Sequence, residues 1–506
     1  MKSADKYTIE ALGVPGTELM DRAAGTLFEA LEPHFGMNKH FVILCGKGNN
    51  GGDGWALAKR LSKICERTTC ISVLGEPSTA DARYFFEECT AILKNDVRGC
   101  LTVIDAAENT EKAISEVSNA DVITDAIFGT GFSGEIASDS IVARLIASAN
   151  STFAFRLSAD IPSGVNALSG TVSEICFEAD EVVTFAKAKP GLYSYPARGK
   201  CGKITVADIG IPESIFESFE QKYEISDEDT VKRYLPKRFA DSNKGSYGKL
   251  LCVCGSDDMP GAARLAVSGA LRTGVGLVCA ASTRSVISTL STALSEPIYL
   301  SVSDSDADTD RLVEYSKKCS AMLIGCGLGV GDAVTRRVSR LIRECACPII
   351  LDADGINAIC GNINILTEAK GGILLTPHPL EFSRISGLAV EEICKNRLEV
   401  AEDFSRKYGC TLLLKGAGTV ISHKGERVCI NTTGNSALSK GGSGDVLSGM
   451  IASFAAQGSG LYESAVIAAF LHGSAGDNLS RVYSEYGVLP SDLPLEAARI
   501  LSFLVR

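Results

Sequence analysis

The sequence predicts an α/β protein made of two doubly wound domains. The chain has 506 residues, which is too long for one ordinary hydrophobic core. Short apolar runs alternate with segments of helical spacing in both halves, a pattern typical of mostly parallel sheets covered on both faces by helices. A charged stretch at residues 208–245, poor in long apolar runs, separates the halves. We therefore expect domains at residues 1–215 and 225–506.

Apolar runs in the first half predict short buried strands. The runs are FVILC (41–45), TCISVLG (69–75), CLTVID (100–105), DVITDAIFG (121–129), TFAFRLSAD (152–160) and EVVTFA (181–186). Helical spacing is found between several of them, as in DGWALAKRLSKI and DARYFFEECTAIL. Parallel sheets of this kind bind ligands beyond the carboxyl ends of their strands, so the loops that follow these runs are the functional candidates.

The same alternation returns in the second half. The predicted strands are KLLCVCG (249–255), GLVCAAS (276–282), AMLIGCG (321–327), PIILDAD (348–354), GILLTPH (372–378), TLLLKG (411–416) and TVISHKG (419–425). The last part is helical, with GDVLSGMIASFAAQ and ESAVIAAFLHGSAGDNL. No period relates the two halves, so the sequence predicts two different domains and not a repeat.

Charge and cysteine usage exclude several classes of function. The net charge of -11 disfavours nucleic acid or an anionic membrane as partner. The 18 cysteines form no CxxC pair, and none of the five histidines stands at zinc-ligand spacing from a cysteine. The chain starts without an apolar signal segment and has no apolar run of about 18 residues. These features indicate a cytoplasmic protein that acts on small molecules.

Four loops follow predicted strand ends in the first half: GKGNNGGDG (46–54), DAIFGTGFSGE (125–135), SADIPSG (158–164) and AKAKPGLY (186–193). Any one of them could be an ordinary turn, in which glycine adopts a backbone conformation that other residues rarely adopt. Together they offer the oxygen atoms of Asn50, Asp125 and Ser163, a set with one formal charge that suits a monovalent cation better than Mg²⁺. Asp160 is a candidate general base, with a turn-capping role as the alternative.

The first of these loops also satisfies GxGxxG, a pattern of dinucleotide-binding folds. Such a fold places an acidic residue about 20 positions further on, at the end of the second strand. Glu66 lies before TCISVLG and Glu76 just after it, so neither fits cleanly. A redox enzyme is therefore the weaker interpretation of this loop.

A glycine loop, KGGSGDVLSG (440–449), opens a helical segment in the second half. Helix N-termini offer free N–H groups and a partial positive charge to an anion, and Asp445 could accept a proton from a substrate hydroxyl there. The alternative is an ordinary acidic residue in a first helical turn. The Walker A pattern is absent.

His378 lies between two prolines at a predicted strand end, where it could be structural or contact a ligand.

The first-half motifs in combination resemble the epimerase domain of the bifunctional NAD(P)H-hydrate repair enzymes. They are YTIEALGVPGTELMDRAAG, GKGNNGGDGWALAKRL, DAIFGTGFSGE, ADIPSGVNALSG, TFAKAKPGLY and GKITVADIGIP. The resemblance implies a Rossmann-like domain that epimerises the hydroxyl-bearing carbon of hydrated NADH or NADPH, with glycines that let the backbone approach the ligand. The implied potassium site is Asn50, Asp125 and Ser163. The implied nucleotide-binding residues are Asn49, Asn50, Gly51, Gly52, Asp53, Gly129, Thr130, Gly131, Phe132, Ser133, Gly134, Glu135 and Asp160.

The second-half motifs resemble the NAD(P)H-hydrate dehydratase branch of the ribokinase-like superfamily. They are KGSYGKLLCVCGSDDMPGAARLAVSGALRTGVGLV, GCGLG, LDADGINAI, LTPHPLEFSRI, LLLKGAGTVI and the GGSGD loop. By this resemblance the hydrated nucleotide faces Ala262, Gly329, His378 and Asp445. ADP or ATP, with Mg²⁺, is implied to lie against Lys415, Gly416, Ala417, Gly418, Thr419 and Gly444.

The resemblance makes the chain a repair enzyme with Asp160 and Asp445 as catalytic residues, and it leads us to expect a homo-oligomer. The fusion of two domains favours ADP as donor, whereas the preference between NADHX and NADPHX stays open. The alternatives are a vitamin or sugar kinase fused to a nucleotide-binding module, and a first domain that only binds.

Overall fold

The chain divides between Gln221 and Lys222 into two units, each with its own sheet. The structure is a computed structural model that describes residues 2–95, 99–219 and 221–505. The division lies within the charged stretch, between the predicted domain ends at 215 and 225.

The first unit contains a seven-stranded sheet in the order β3-β2-β1-β4-β5-β6-β7, and all of its pairings are parallel. The chain thus proceeds outward from β1 in one direction and from β4 in the other. The carboxyl ends of β1 and β4 form a topological switch point, where such sheets bind ligands. The strands are β1 (His40–Cys45), β2 (Arg67–Ser72), β3 (Leu101–Asp105), β4 (Val122–Ala126), β5 (Phe155–Ala159), β6 (Glu181–Phe185) and β7 (Lys203–Ala207).

Helices cover both faces of this sheet, which confirms the doubly wound prediction. They are α1 (Lys2–Glu10), α2 (Gly16–Leu31), α3 (Asn49–Leu61), α4 (Ala80–Asn95), α5 (Thr110–Ser118), α6 (Ile141–Asn150), α7 (Pro190–Tyr193) and α8 (Glu213–Glu217). In β1, Phe41 and Ile43 join the apolar cluster formed with α2, α3 and α4, whereas Val42 and Leu44 join the cluster formed with α5 and α6. Because β1 is buried on both faces, its sequence is a continuous apolar run.

The second unit contains a ten-stranded sheet in the order β11-β10-β9-β12-β13-β14-β15-β16-β17-β8. Pairings are parallel from β11 to β15, antiparallel from β15 to β17, and parallel again between β17 and β8. The strands are β8 (Tyr223–Ser226), β9 (Lys249–Val253), β10 (Leu277–Ser282), β11 (Ile298–Ser301), β12 (Ala321–Ile324), β13 (Ile349–Leu351), β14 (Ile373–Leu375), β15 (Thr411–Leu414), β16 (Val420–His423) and β17 (Arg427–Asn431).

The helices of the second unit include a closely packed pair, α10 and α18. A Cβ atom at Gly449 of α18 would lie 1.9 Å from the carbonyl oxygen of Ala266, and one at Gly269 of α10 would lie 2.5 Å from that of Val446. Glycine at both positions therefore lets the two backbones touch. The helices are α9 (Glu228–Tyr234), α10 (Pro260–Arg272), α11 (Arg284–Ser291), α12 (Asp306–Ser316), α13 (Asp332–Glu344), α14 (Asp354–Asn357), α15 (Pro379–Ser386), α16 (Val390–Lys395), α17 (Arg397–Tyr408), α18 (Ser443–Ala456), α19 (Leu461–Gly487) and α20 (Leu493–Leu504).

None of the helices in the described part of the chain combines the length and the apolar character that crossing a membrane requires.

Candidate functional sites

A cavity of about 800 Å³ opens at the carboxyl ends of β1 and β4 in the first unit. This volume lies in the range of small-molecule and cofactor sites. The predicted residues that line it are Asn49, Asn50, Asp53, Gly129, Thr130, Gly131, Phe132, Ser133 and Asp160. Four other predicted residues, Gly51, Gly52, Gly134 and Glu135, are not part of its lining.

The glycines of the GKGNNGGDG loop lie in two different surroundings. A Cβ atom at Gly46 would lie 2.0 Å from the carbonyl oxygen of Ile127, and one at Gly51 would lie 1.8 Å from that of Gly46. At these two positions the protein's own backbone already leaves no room for a side chain. Gly48 lines the cavity and has no atom within 4 Å of its Cβ position, so it stays open to a ligand.

The three residues of the predicted cation site lie close together, and one of them, Asn50, lines the cavity. Asp125 is fully buried and accepts hydrogen bonds from the backbone N–H and the hydroxyl of Ser163, at 2.7 and 2.6 Å, and from the backbone N–H of Ile127 at 3.2 Å. Ser163 Oγ in turn accepts a hydrogen bond from the backbone N–H of Phe128 at 3.0 Å. Asn50 Nδ2 donates to the carbonyl oxygen of Phe128 at 3.0 Å. One short loop, 127–128, therefore joins all three side chains.

This donor set fits a potassium ion. Burial raises the pKa of Asp125 to about 6, although its hydrogen bonds oppose the shift, so the ionised carboxylate gains from a nearby cation. Asn50 Oδ1 accepts no hydrogen bond from the described residues, which leaves a carbonyl-type oxygen available. The set offers oxygen atoms and a single negative charge, as a weakly held monovalent cation requires.

Asp160 lies at the end of β5 and faces the cavity with φ at 64°, in the left-handed region that few non-glycine residues adopt. Its Oδ1 accepts from Lys189 Nζ at 2.6 Å, from Thr184 Oγ1 at 3.0 Å and from the backbone N–H of Phe185 at 3.2 Å. Asp160 is therefore an ion-paired carboxylate in a strained backbone position. These features go beyond what a turn-capping residue requires.

Asp53 supplies a second carboxyl group with a different environment. Burial, followed by the negative charges of Asp160 and Asp5, raises the pKa of Asp53 well above its usual value. Asp5, on α1, also lines the cavity, and burial raises its pKa as well. The cavity thus holds one carboxylate paired with a lysine beside two carboxyl groups that retain their protons to higher pH.

Sequence reasoning did not identify Asp5 and Lys189 as site residues. Lys189 stands in AKAKPGLY, one of the four loops at predicted strand ends, and its position there was the available signal. Asp5 precedes every first-half motif and carries no comparable signal, because only the folding of α1 brings it to the cavity.

In the second unit a buried ion pair lies at the carboxyl ends of β13, β14 and β15. Lys415 Nζ donates to Asp352 Oδ1 at 2.9 Å, and Thr376 Oγ1 donates to the same oxygen at 2.7 Å. Burial opposes the charge on both partners. The charge of Lys415 nevertheless lowers the pKa of Asp352, and that of Asp352 raises the pKa of Lys415. Glu381 lies 3.9 Å from the same ammonium.

Asp445 lies in the first turn of α18, close to this pair. Burial, followed by the charge of Asp352, raises the pKa of Asp445 to about 6. A Cβ atom at Gly444 would lie 3.2 Å from Lys415 Nζ, so the ammonium stands beside the glycine loop that begins α18. An anion bound at this helix N-terminus would have a lysine and a candidate base as neighbours.

The other predicted residues of the dehydratase site follow strands β9, β12 and β14 of the same sheet. The backbone N–H of Gly329 donates to Asp354 Oδ2 at 2.8 Å. Ala262, in the first turn of α10, packs on Gly327, where a Cβ would lie 2.6 Å from its methyl group. His378 caps α15, since its Nδ1 accepts from the backbone N–H groups of Leu380 and Glu381. Its ring is half-exposed, and its Nε2 lies 3.5 Å from Glu381 Oε1, so a ligand at this atom would share it with that carboxylate.

The predicted nucleotide segment 415–419 turns sharply at Gly416 and Gly418, whose φ values are 146° and 60°. Thr419 Oγ1 closes the turn by donating to the carbonyl oxygen of Gly416 at 2.9 Å. Buried Arg397 lies beneath Gly416 and donates to the carbonyl oxygens of Leu414 and Lys415, at 2.9 and 3.2 Å. Ala417 lies at the centre of this turn.

Asp352, Arg397 and His472 are further residues of this region that sequence reasoning missed. Asp352 lies near the end of the predicted strand PIILDAD, which was the signal for it. His472 Nε2 lies 3.1 Å from Ser443 Oγ and 3.0 Å from its carbonyl oxygen, and burial lowers the pKa of this imidazole to about 4. A neutral histidine thus supports the first turn of α18.

Cys326, Asp352 and Asp445 have possible ligand atoms within 4.8 Å of one another. Asp352 is already neutralised by Lys415, so this group offers Mg²⁺ about one free carboxylate. Mg²⁺ that arrives on a nucleotide needs only one or two protein carboxylates, and the residues present fit such an ion.

Two family models match the chain, one in each unit. The family described as YjeF-related protein N-terminus matches residues 16–191, and the family described as NAD(P)H-hydrate dehydratase matches residues 250–499.

Relatives are similar over almost the whole chain. A bifunctional NAD(P)H-hydrate repair enzyme Nnr from Moorella thermoacetica is 34% identical over 503 residues, which cover 97% of this chain and 94% of that protein. The enzyme of the same name from Escherichia coli is 30% identical over 502 residues, with 99% and 93% covered. Among solved structures, an ADP/ATP-dependent NAD(P)H-hydrate dehydratase from Bacillus subtilis, co-crystallised with ATP/Mg²⁺, is 32% identical. It covers 55% of this chain and 98% of its own, with a TM-score of 0.50.

Proposed function

The chain belongs to the bifunctional NAD(P)H-hydrate repair enzymes, and from this premise we propose that each unit carries one of the family's two reactions. The protein is an NAD(P)H-hydrate epimerase and an ADP- or ATP-dependent dehydratase, which together return hydrated NADH or NADPH to the reduced coenzyme. One observation supports the assignment of sites: Asp160 and Asp445 each stand at the ligand-binding edge of a separate sheet.

In the first unit, Asp160 acts as base and Asp53 as acid. Hydrated NAD(P)H carries a hydroxyl on the ring carbon beside the ring nitrogen. Asp160 accepts the hydroxyl proton, the ring C–N bond breaks with its electron pair on nitrogen, and the nitrogen accepts a proton from Asp53. The carbonyl carbon formed in this way can be attacked again by nitrogen from either face, which exchanges the epimers. The different environments of the two carboxyls support these opposite roles.

Potassium would be held by Asn50, Asp125 and Ser163. A bound cation there supplies positive charge beneath the loop Gly129–Ser133, which lines the cavity. Its expected contribution is to fix this loop, because Asn50 and Ser163 are both hydrogen-bonded to Phe128, directly before it.

In the second unit, Asp445 accepts the proton of the same substrate hydroxyl, and the hydroxyl oxygen attacks the terminal phosphorus of the nucleotide. The bond from that phosphorus to the bridging oxygen breaks, so AMP leaves when ADP is the donor and ADP leaves when ATP is the donor. The ring nitrogen's electron pair then expels phosphate, and loss of a proton from the neighbouring ring carbon restores the double bond. Lys415 and the N-terminus of α18 stabilise the charge of the transferring group. His378 Nε2 is proposed to contact the hydrated ring.

The dehydratase donor is a nucleotide with Mg²⁺, and we propose ADP, bound along Lys415–Thr419 and Gly444. Mg²⁺ bound with the nucleotide neutralises phosphate charge. All 18 cysteines are free thiols, which supports a reducing, cytoplasmic setting. Small molecules, and no nucleic acid or membrane, are the expected partners, and a homo-oligomer stays a prediction that light scattering can test.

The two reactions can be tested by mixing the protein with both epimers of NADHX and Mg²⁺, with ADP or ATP, and following NADH absorbance. We expect complete recovery of NADH. The Asp445→Asn variant should form NADH at least about 100-fold more slowly than the wild type, while it still exchanges the epimers. A stable phosphorylated product without NADH would favour the vitamin or sugar kinase.

A further inference from the structure

Lys189 is a buried cation at the cavity of the first unit. Its side chain is only 6% exposed, and its Nζ donates to Asp160 Oδ1 at 2.6 Å and to the carbonyl oxygen of Phe185 at 2.7 Å. Lysine is rarely buried to this degree unless it is paired, and here the partner is the proposed base.

The hydrogen bonds of Asp160 are distributed unequally over its two oxygens. Oδ1 accepts from Lys189, from the Thr184 hydroxyl and from the backbone N–H of Phe185. Oδ2 accepts no hydrogen bond from the described residues, and Asp160 lines the cavity. One oxygen is therefore fixed by three donors, and the other is left for a ligand.

The surrounding charges would otherwise oppose an ionised Asp160. Asp5 from α1 and Asp53 from α3 both face its carboxylate, and each interacts unfavourably with its charge. Lys189, which precedes α7, is the cation that interacts with all three groups. The lysine thus offsets like-charge repulsion at the point where a base must be charged.

We propose that Lys189 is a positioning residue for epimerisation, which fixes Oδ1 of Asp160 and places a positive charge beside that carboxylate so that Oδ2 accepts the substrate's hydroxyl proton. Thr184 gives the same oxygen a neutral hydrogen bond in support. The inference rests on the proposed function of the first unit. Lys189 gives up no proton in this step, because the hydroxyl proton moves to Oδ2 and the nitrogen is protonated by Asp53.

The test uses the full chain without ADP or ATP, so that the dehydratase site is idle, and follows exchange of the R and S forms of NADHX by chromatography. Lys189→Met should lower kcat about 100-fold, leave KM within about threefold, and move the acid limb of the pH–rate profile upward by about one pH unit. Lys189→Arg retains a cation, so its kcat should be about tenfold higher than that of Lys189→Met.

Two further variants make the result specific. Lys187→Met is the matched control, because Lys187 lies in the same loop, is paired with exposed Glu213 and is not part of the cavity lining; it should exchange the epimers at the wild-type rate. Thr184→Val removes one donor to Oδ1 with little change of shape and should lower kcat about tenfold. If Lys189→Met fails to fold, Lys189→Arg and Thr184→Val decide the question.

The inference is overturned if Lys189→Met retains wild-type kcat and an unmoved acid limb, or if only its KM changes. With an unfolded Lys189→Met, wild-type kcat in Thr184→Val overturns it. Failure of the underlying function is distinguishable, because the wild-type chain would then not exchange the epimers at all. If the wild type is active and Asp160→Asn is inactive while Lys189→Met is normal, only the positioning role fails.

Discussion

Asp125 and Asp445 are buried carboxyls whose pKa is raised to about 6 by the same cause, yet their neighbours suit them to different tasks. Asp125 is enclosed by hydroxyl and N–H donors and lies outside the cavity lining. Asp445 stands at a helix N-terminus beside Lys415. The surroundings, rather than the pKa, therefore distinguish a proposed cation ligand from a proposed base.

The pH dependence of dehydration should report Asp445. The proposed base must be ionised, and burial raises the pKa of Asp445 to about 6, so kcat should fall about tenfold per pH unit below that value and level off above it. Initial rates of NADH recovery between pH 5 and 8 measure this limb. A rate that is flat down to pH 5 would remove Asp445 from the role of base.

Potassium dependence should require Asp125. Exchange of the epimers by the wild type should be several-fold faster in KCl than in choline chloride at equal ionic strength. Asp125→Asn removes the only formal charge of the set and should abolish the difference between the two salts. Equal rates in both salts for the wild type would argue against a potassium site.

The carboxylates that follow predicted strands could be found from the sequence, but their partners could not. Asp160 and Asp445 stand in recognisable loops, and the strand pattern places such loops at the ligand-binding edge. Lys189 and Asp352 act through ion pairs whose partners are 29 and 63 residues away in the chain. A pairing over that distance depends on strand order, which local patterns do not specify.

The contact between α10 and α18 positions Asp445, because α18 begins at the glycine loop. Gly449→Ala would place a methyl group 1.9 Å from the carbonyl oxygen of Ala266. We expect a loss of about 1–3 kcal/mol in the free energy of unfolding of the second unit, and slower dehydration as α18 shifts. Urea unfolding followed by circular dichroism measures the first effect.

Gly261→Ala on α10 is the matched control, since no atom lies within 4 Å of its Cβ position. Its stability should be unchanged or slightly raised, because alanine is the better helix former. An equal loss in both variants would contradict the role of close helix packing.

Fully buried strands were predictable and edge strands were less so. The runs around β1, β4, β9 and β12 are apolar on both faces and match the observed strands closely. The sequence analysis missed β7, β8 and β11 at sheet edges, where partly exposed positions interrupt the apolar run, and it also missed β17, which lies inside the sheet between β16 and β8. It also treated the stretch that contains β8 as a boundary, because YEIS has no strong periodicity.

The two units have separate cores and separate candidate sites, and they are proposed to share a substrate. Because each core is complete within its own unit, a substitution in one site should leave the chemistry of the other intact. Asp160→Asn should therefore dehydrate the competent epimer at the wild-type rate when that epimer is supplied pure. A loss of more than about threefold would show that the sites depend on each other.

The cooperation of two sites on one damaged coenzyme is tested most directly by the course of NADH recovery from an equal mixture of both epimers with ADP and Mg²⁺. The wild type should recover all of the NADH in one rapid phase. Asp160→Asn should recover about half rapidly and the rest only at the rate of spontaneous epimerisation. A single rapid phase to completion in Asp160→Asn would contradict the account.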